Sequence, residues 1–259
     1  MQFLRSLVFY VVLILWVLVV VPPLLLMMVL PLRRRGGAAR AMSRWLLGAL
    51  RVICGVDYEV RGREHTAGGA AIIMSKHQSA WETFALQILF PPLAYVLKRE
   101  LLWIPFFGWG LLACGAIAID RKKGKVALKQ VLSKGTARLR DGIWVVIFPE
   151  GTRIPPGRRG RYNVGGAMLA ARSGFPVVPV AHNAGEFWPG EGFVIRPGTI
   201  TVVVGEPLDT TDMRPGEINA YVEHWIESQM EAISLQDKDL ADRRAMGAEI
   251  VAGEKVKRD

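Results

Sequence analysis

From Leu7 to Leu30 the chain carries no charge and is dense in valine and leucine. About 20 apolar residues suffice to cross a bilayer, so any fold must give this stretch lipid or protein to cover it. A cleaved signal peptide has a shorter apolar core, about 7–15 residues, followed by small residues. Here Arg33-Arg34-Arg35 follow instead, and residues 1–35 read as a permanent membrane-anchoring helix. Arg5 alone precedes the run, whereas Arg33, Arg34, Arg35, Arg40 and Arg44 follow it; the positive-inside bias then puts the long remainder in the cytoplasm. Pro22-Pro23 removes backbone donors and kinks helices, which leaves open a bent helix within one leaflet. A second uncharged run, Leu101 to Ile119, is interrupted by Pro105, Gly108, Gly110 and Gly115. It reads as apolar loop and strand packed on the domain or dipping into lipid.

Past the anchor, apolar runs alternate with helical patterns. Ala38 to Cys54 has Trp45, Leu46, Ala49, Leu50 and Ile53 available to one face, suited to a membrane surface or to core packing. Val56 to Val60 alternates like a half-exposed strand, and further strands are expected at Ala71–Met74, Ala94–Leu97, Ala116–Ile119, Trp144–Phe148, Val177–Val180 and Ile200–Val204. Helices are expected at Trp81–Ile88, Lys125–Leu139, Val164–Arg172 and, as a closing element, Pro215–Ile233. The pattern predicts an α/β domain over residues 36–235, with a mostly parallel central sheet flanked by helices. The polar tail, residues 236–259, is expected to be mobile.

Two polar segments follow buried strands, where open α/β sheets place their chemistry. In the first, His77 stands five residues before Glu82. A neutral imidazole takes up a proton near neutral pH, and a carboxylate on its other nitrogen fixes the tautomer and stabilises the imidazolium. By itself such a pair is more readily a structural hydrogen bond. The second segment, Phe148-Pro149-Glu150-Gly151-Thr152-Arg153, is placed in the same way after its own strand.

His77 through Glu82 resembles the histidine-four residues-acid motif of the glycerolipid acyltransferases, and Phe148 through Arg153 resembles their second signature. Lys98 to Arg121, ending Ile119-Asp120-Arg121, is similar to the acceptor-binding block, and Val177-Val178-Pro179-Val180 to the fourth. The likeness extends from about Val56 to Leu208 and is strongest to bacterial members that act on 1-acyl-glycerol-3-phosphate. It departs in carrying Glu82 where the family's usual acid is aspartate. The resemblance implies transfer of a fatty acyl group from a thioester, acyl-coenzyme A or acyl carrier protein, to the free hydroxyl of lysophosphatidic acid at the bacterial inner membrane. His77 would be the general base and Glu82 its orienter, with no acyl-enzyme. Arg153 would hold the acceptor phosphate, with Gly151 and Thr152 offering backbone amides, Arg121 a second cation, and Glu150 organising the arginines or the turn. Lys76 and Lys98 are further cations to consider, as is the Arg158-Arg159-Gly160-Arg161 loop. Another lysolipid as acceptor is the nearest rival reading; a non-catalytic binder of anionic membranes is the rival from a different class.

Several residues read more simply. Ser79 lacks a nucleophile-elbow context and suits a hydrogen bond to the following helix; Trp81 suits packing, and His182 a structural hydrogen bond. His65, His77, His182 and His224 form no ligand cluster and Cys54 and Cys114 lack redox or metal spacing, so no metal and no cofactor is expected. The net charge of +10 lacks the aromatic interleaving of a nucleic-acid binder. Its excess lies around residues 33–63, 121–140 and 153–172, which points to anionic lipid surfaces and phosphorylated substrates.

Overall fold

The computed structural model describes residues 1–90 and 92–234; the tail expected to be mobile lies outside them. Among the described residues the helices are α1 (Gln2–Leu26), α2 (Leu32–Cys54), α3 (Trp81–Leu89), α4 (Phe107–Ala113), α5 (Lys125–Arg140), α6 (Gly165–Ser173), α7 (Ala184–Phe187) and α8 (Pro215–Ile233). The strands are β1 (Val56–Arg61), β2 (Ile72–Ser75), β3 (Leu93–Lys98), β4 (Ile117–Ile119), β5 (Trp144–Ile147), β6 (Val177–His182) and β7 (Gly198–Val204).

All the strands join one sheet in the order β1-β7-β6-β2-β5-β3-β4. From β6 to β4 every pairing is parallel. The run reverses at β7, which is antiparallel to β6 and parallel to β1. The mostly parallel α/β fold read from the alternation is therefore what forms; the reversal has no counterpart in the pattern.

Successive side chains leave opposite faces of a strand, and both faces here are covered. Ile73, Val146, Val178 and Val180 join the core under α2 and α3, while Ile72, Met74, Val145 and Ala181 join the core under α5, α6 and α8. Two-sided burial explains the unbroken apolar runs, and each buried valine, isoleucine or methionine among them contributes about 1.5–3 kcal/mol.

The N-terminal region departs from the expected boundaries. α1 continues through Pro22 and Pro23 to Leu26. α2 begins at Leu32, directly after Pro31, so the arginine run lies in its first turns and position 35 falls inside the helix. Arginine propagates a helix well, which is why the charge run does not end it. α2 folds back along α1, and Cys54 Sγ at its far end reaches the Arg5 carbonyl at 3.7 Å. The run from Leu101 to Ile119 likewise contains a helix, α4, where loop was expected. Tertiary contact outweighs its glycines: a Cβ added at Gly110 would lie 3.1 Å from Val21 of α1.

α1 is docked on the domain along one side only. Phe9 is fully buried and meets Trp188 edge-on at 5.2 Å, and Ser6 Oγ accepts the Ile195 amide at 2.9 Å. Leu4, Val11, Leu15 and Val19 on the same helix are exposed, as are Trp45 of α2 and Trp103 and Trp109 around α4. Exposed apolar surface on this scale marks contact with a membrane or a partner. Among the described residues, α1 with its short extension to Val29 is the one helix long and apolar enough to cross a bilayer.

Candidate active site

β2 and β5 are neighbours, with Ile72 paired to Val145 and Met74 to Ile147. Their carboxyl ends therefore bring the two polar segments side by side. From there α3 leaves toward one face of the sheet and α6 toward the other, opening the crevice in which such sheets bind ligands.

His77 Nδ1 lies 2.7 Å from Glu82 Oε1, and the same oxygen accepts the Gln78 and Ser79 amides at 2.9 Å each. Glu82 occupies the first turn of α3, where a carboxylate is favoured by the helix dipole. It is fully buried. Burial alone would raise its pKa; the neighbouring His182, the hydrogen bond and charge of His77 and the Ser79 amide more than offset this and hold it below the ordinary value. His182 is itself pushed down by burial and is neutral at neutral pH, so the standing partners of the Glu82 charge are His77 and the backbone amides. An ionised Glu82 on Nδ1 assigns the ring hydrogen to that nitrogen and leaves the lone pair on Nε2. The longer side chain of glutamate is thus accommodated, with its oxygen within hydrogen-bond distance of the ring. Phe148 stacks on the imidazole, centroids 4.0 Å apart and planes 14° apart, and Tyr95 stacks behind Phe148 at 6.1 Å.

Ser79 is used as expected for a helix start: its hydroxyl accepts the Trp81 amide at 3.1 Å. Trp81 is buried and packs edge-on against Tyr58. His182 Nε2 pairs with the Lys76 carbonyl at 2.9 Å, the structural hydrogen bond expected of it. His65 pairs with the Val204 carbonyl, and His224 is exposed on α8.

The second segment is held from below. Glu150 Oε2 accepts the His77 amide at 3.0 Å, and its Oε1 accepts Lys76 Nζ at 2.6 Å. Glu150 therefore braces the backbone of His77 and the adjacent lysine rather than the arginines. Lys76 also bonds Glu227 of α8 at 2.9 Å, and Tyr162 donates to Glu227 at 2.8 Å. Only 1% of Lys76 is exposed, which removes it from the cations available to a phosphate. Burial raises Glu150, against the pull of Lys76; burial, Glu150 and Glu227 together push Tyr162 up and keep it a neutral donor.

Gly151 has φ +72°, the left-handed conformation that tightens the turn, and its amide donates to the Phe148 carbonyl. The Arg121 guanidinium bonds the Gly151 carbonyl, so Arg121 is tied to this loop. Thr152 and Arg153 are exposed. Arg153 lines a cavity of about 500 Å³ together with Gln78, Phe187 and Arg196. Lys98 ends β3 and is exposed, and Arg159 of the nearby basic loop pairs with Glu223 of α8. Among the described residues no group of three or more histidines, cysteines or carboxylates is placed to hold a metal.

Sequence reading missed Glu227, Tyr162 and Arg196. For Glu227 a signal existed, since Glu223 and Glu227 stand one turn apart beside the apolar stripe of α8. Arg196 sits before Pro197-Gly198 with no pattern to mark it.

An acyltransferase family model matches residues 57–183, which contains every one of these strand-end groups except Arg196 and the α8 carboxylates. The 1-acyl-sn-glycerol-3-phosphate acyltransferase of Pseudomonas aeruginosa is 48% identical over 194 residues, 74% of this chain and 76% of that one. The chain belongs to the 1-acyl-sn-glycerol-3-phosphate acyltransferase family. Among more distant members, that of Limnanthes alba is 31% identical over 68% of this acyltransferase and 64% of its own length. The human beta form is 28% identical over 69% and 66%. The crystal structure of the 1-acyl-sn-glycerophosphate acyltransferase from Thermotoga maritima superposes with a TM-score of 0.75 at 22% identity, covering 90% of this chain and 95% of that one, a shared fold. As an enzyme of this family the chain is an acyltransferase of lipid biosynthesis, and the reading of it as a non-catalytic membrane binder falls away.

Proposed function

We propose that the enzyme transfers a fatty acyl group from a thioester to the free hydroxyl of 1-acyl-sn-glycerol-3-phosphate, with His77 as general base. The observation that carries this reading is the His77 Nδ1 to Glu82 Oε1 contact of 2.7 Å, on a buried carboxylate fixed by two amides. In that arrangement Nε2 accepts the acceptor's hydroxyl proton while the oxygen attacks the thioester carbonyl. Glu82 keeps the tautomer and stabilises the imidazolium that results. Collapse of the tetrahedral intermediate expels the thiolate, which takes the proton back from Nε2. Atoms balance with no acyl-enzyme, consistent with Ser79 being buried and committed to α3.

The acceptor's phosphate requires fixed positive charge. Arg153 is free to offer a planar, bidentate fork from the cavity beside Gln78, and Arg121 lends a second positive charge across Gly151. The donor is acyl-coenzyme A or acyl carrier protein. On this reading the exposed apolar side of α1 rests in lipid, and the positive-inside bias of the arginines that follow it supports a cytoplasmic domain at the bacterial inner membrane.

The purified enzyme, offered a panel of lysolipids and acyl thioesters, should yield phosphatidic acid as the main product by mass. A strong preference for an acceptor lacking the phosphate monoester would overturn the choice of substrate while leaving the acyl-transfer chemistry in place.

A further inference from the structure

From Arg153 to Asn163 the chain forms neither helix nor strand, yet this loop carries the cation proposed to hold the acceptor's phosphate. A loop without a ladder of its own is placed by whatever its polar groups are tied to. Its neck is closed locally. The Asn163 amide and side chain both donate to the Pro149 carbonyl, at 2.8 and 2.9 Å, and the Ile154 amide donates to the His77 carbonyl at 2.8 Å. Gly160 folds back over the start of the loop: a Cβ there would lie 2.8 Å from the Ile154 side chain and 3.1 Å from Glu150 Oε1.

Two further ties run to α8. Arg159 pairs with Glu223 at 2.8 Å, but 60% of the arginine side chain is exposed, so water weakens the pair. The second tie is interior. Tyr162, which is buried, donates to Glu227 Oε1 at 2.8 Å, and the same oxygen accepts Lys76 Nζ at 2.9 Å. Lys76 continues to Glu150, and Glu150 accepts the His77 amide. One carboxylate of α8 therefore meets the far end of the loop bearing Arg153 on one side and the residue before His77 on the other. α8 itself is seated by Ile218, Val222, Ile226 and Met230 in the core. Stability does not call for this arrangement. Apolar side chains of similar volume commonly serve as well as buried ionic groups, and Glu223 and Glu227, like charges four residues apart, slightly weaken the helix. What hydrogen bonds add to apolar contacts is direction.

We propose that Glu227 and Tyr162 are positioning residues for the acceptor: they hold the loop bearing Arg153 against the segment bearing His77, so that α8 sets the spacing between the phosphate subsite and Nε2. The inference rests on the roles proposed above for Arg153 and His77. It adds to them a determinant, Glu227, that lies beyond residues 57–183 of the family match.

The test is a double-mutant cycle on the full chain in mixed micelles at fixed salt. The concentration of 1-acyl-sn-glycerol-3-phosphate is varied against a saturating acyl thioester, of coenzyme A or acyl carrier protein, that the wild type uses. Tyr162→Phe removes one hydroxyl and leaves both Lys76 pairs in place. It should raise KM for the acceptor about five- to tenfold, with kcat and the donor's KM within about twofold. Glu227→Gln keeps the size, loses the charge and should act in the same direction. Both variants lose some stability, so the deciding readout is their coupling to Arg153→Ala. In that background neither should raise the acceptor's KM by more than about a further twofold, because substitutions acting through one contact are not additive. Losses that multiply, losses shared by kcat and the donor's KM, or an unchanged acceptor KM in the single variants each overturn the proposal. So does failure of both variants to fold, which assigns the network to the fold alone. If Arg153→Ala weakens acceptor use but the losses multiply, the positioning inference fails and the phosphate reading stands. If Arg153→Ala leaves acceptor use untouched, the phosphate reading itself fails and takes the inference with it.

Discussion

The segments at the ends of β2 and β5 are adjacent and both polar, yet they are held in different ways. His77 and Glu82 are five residues apart, and their contact is closed within one loop and the first turn of α3. Glu150 is held by Lys76 and the His77 amide, 74 and 73 positions away, and Lys76 in turn by Glu227, 151 positions away. One is a local device, built by the turn that makes it. The other exists only after β2, β5 and α8 have assembled. Substitutions in the first should therefore damage turnover far more than stability, whereas those in the second should damage both.

The largest effect is expected at the base. His77→Ala should lower turnover by about a hundred- to ten-thousand-fold, the reach of general-base catalysis, while membrane association and thermal unfolding stay near wild type. Near-normal turnover in a folded variant would remove His77 from the chemistry. Lys76→Met sharpens the contrast from the other side, because it strands the Glu150 and Glu227 carboxylates in the interior. A stability loss of about 3–5 kcal/mol in denaturant unfolding is expected, as when one partner of a buried ion pair is deleted. If stability is retained and only activity falls, the network belongs with the local device and the contrast drawn above is wrong.

Arg153→Ala comes next. Losing a charged hydrogen bond costs about 1.5–3 kcal/mol, so use of 1-acyl-sn-glycerol-3-phosphate should fall by about ten- to a hundredfold, and more than use of an uncharged monoacylglycerol. Arg153→Lys should recover part of it, since a point charge cannot reproduce a fork. Equal losses with both acceptors would move Arg153 to the donor or the fold.

The smallest effect is a pH dependence. The folded state holds Glu82 below the ordinary glutamate value of 4.5, so this group's contribution to stability is fully present above that value. It is lost as pH falls through the depressed one. The stability difference between wild type and Glu82→Gln should therefore shrink on acidification below 4.5. A difference that widens there would reverse the sign assigned to Glu82.

What was legible in the sequence follows the same division. The spacing of His77 and Glu82, the strands around them and the closing helix, read as Pro215–Ile233 and found there, rest on local periodicity and short loops. The Ser79 and His182 hydrogen bonds were anticipated because each residue serves its own strand or helix end. Glu150 was read as organising the arginines or the turn, and its bonds to Lys76 and the His77 amide were not foreseen, since nothing in Phe148–Arg153 announces that its carboxylate turns back beneath β2. α4 was read as loop because its partner, Val21, lies far away in the chain. The reversal at β7 escaped for a related reason: strand direction is set by connections, which hydropathy does not encode.

With His77 as the base proposed above, the ring ladder of Tyr95, Phe148 and His77 would limit the direction from which a hydroxyl can give up its proton. Phe148 covers one flat side of the imidazole, and Glu82 occupies the Nδ1 edge. Tyr95 anchors the ladder by donating to the carbonyl of Thr83 at 2.7 Å, the residue next to Glu82, so one turn of α3 aligns both the ring's cover and its carboxylate. The imidazole cannot swing to follow a badly placed acceptor. An alcohol must arrive in the plane of the ring, along the Nε2 lone pair, and a hydroxyl presented from above the plane finds only the ring's π face. On that mechanism trajectory, as well as charge, would decide which hydroxyl of a lipid can react.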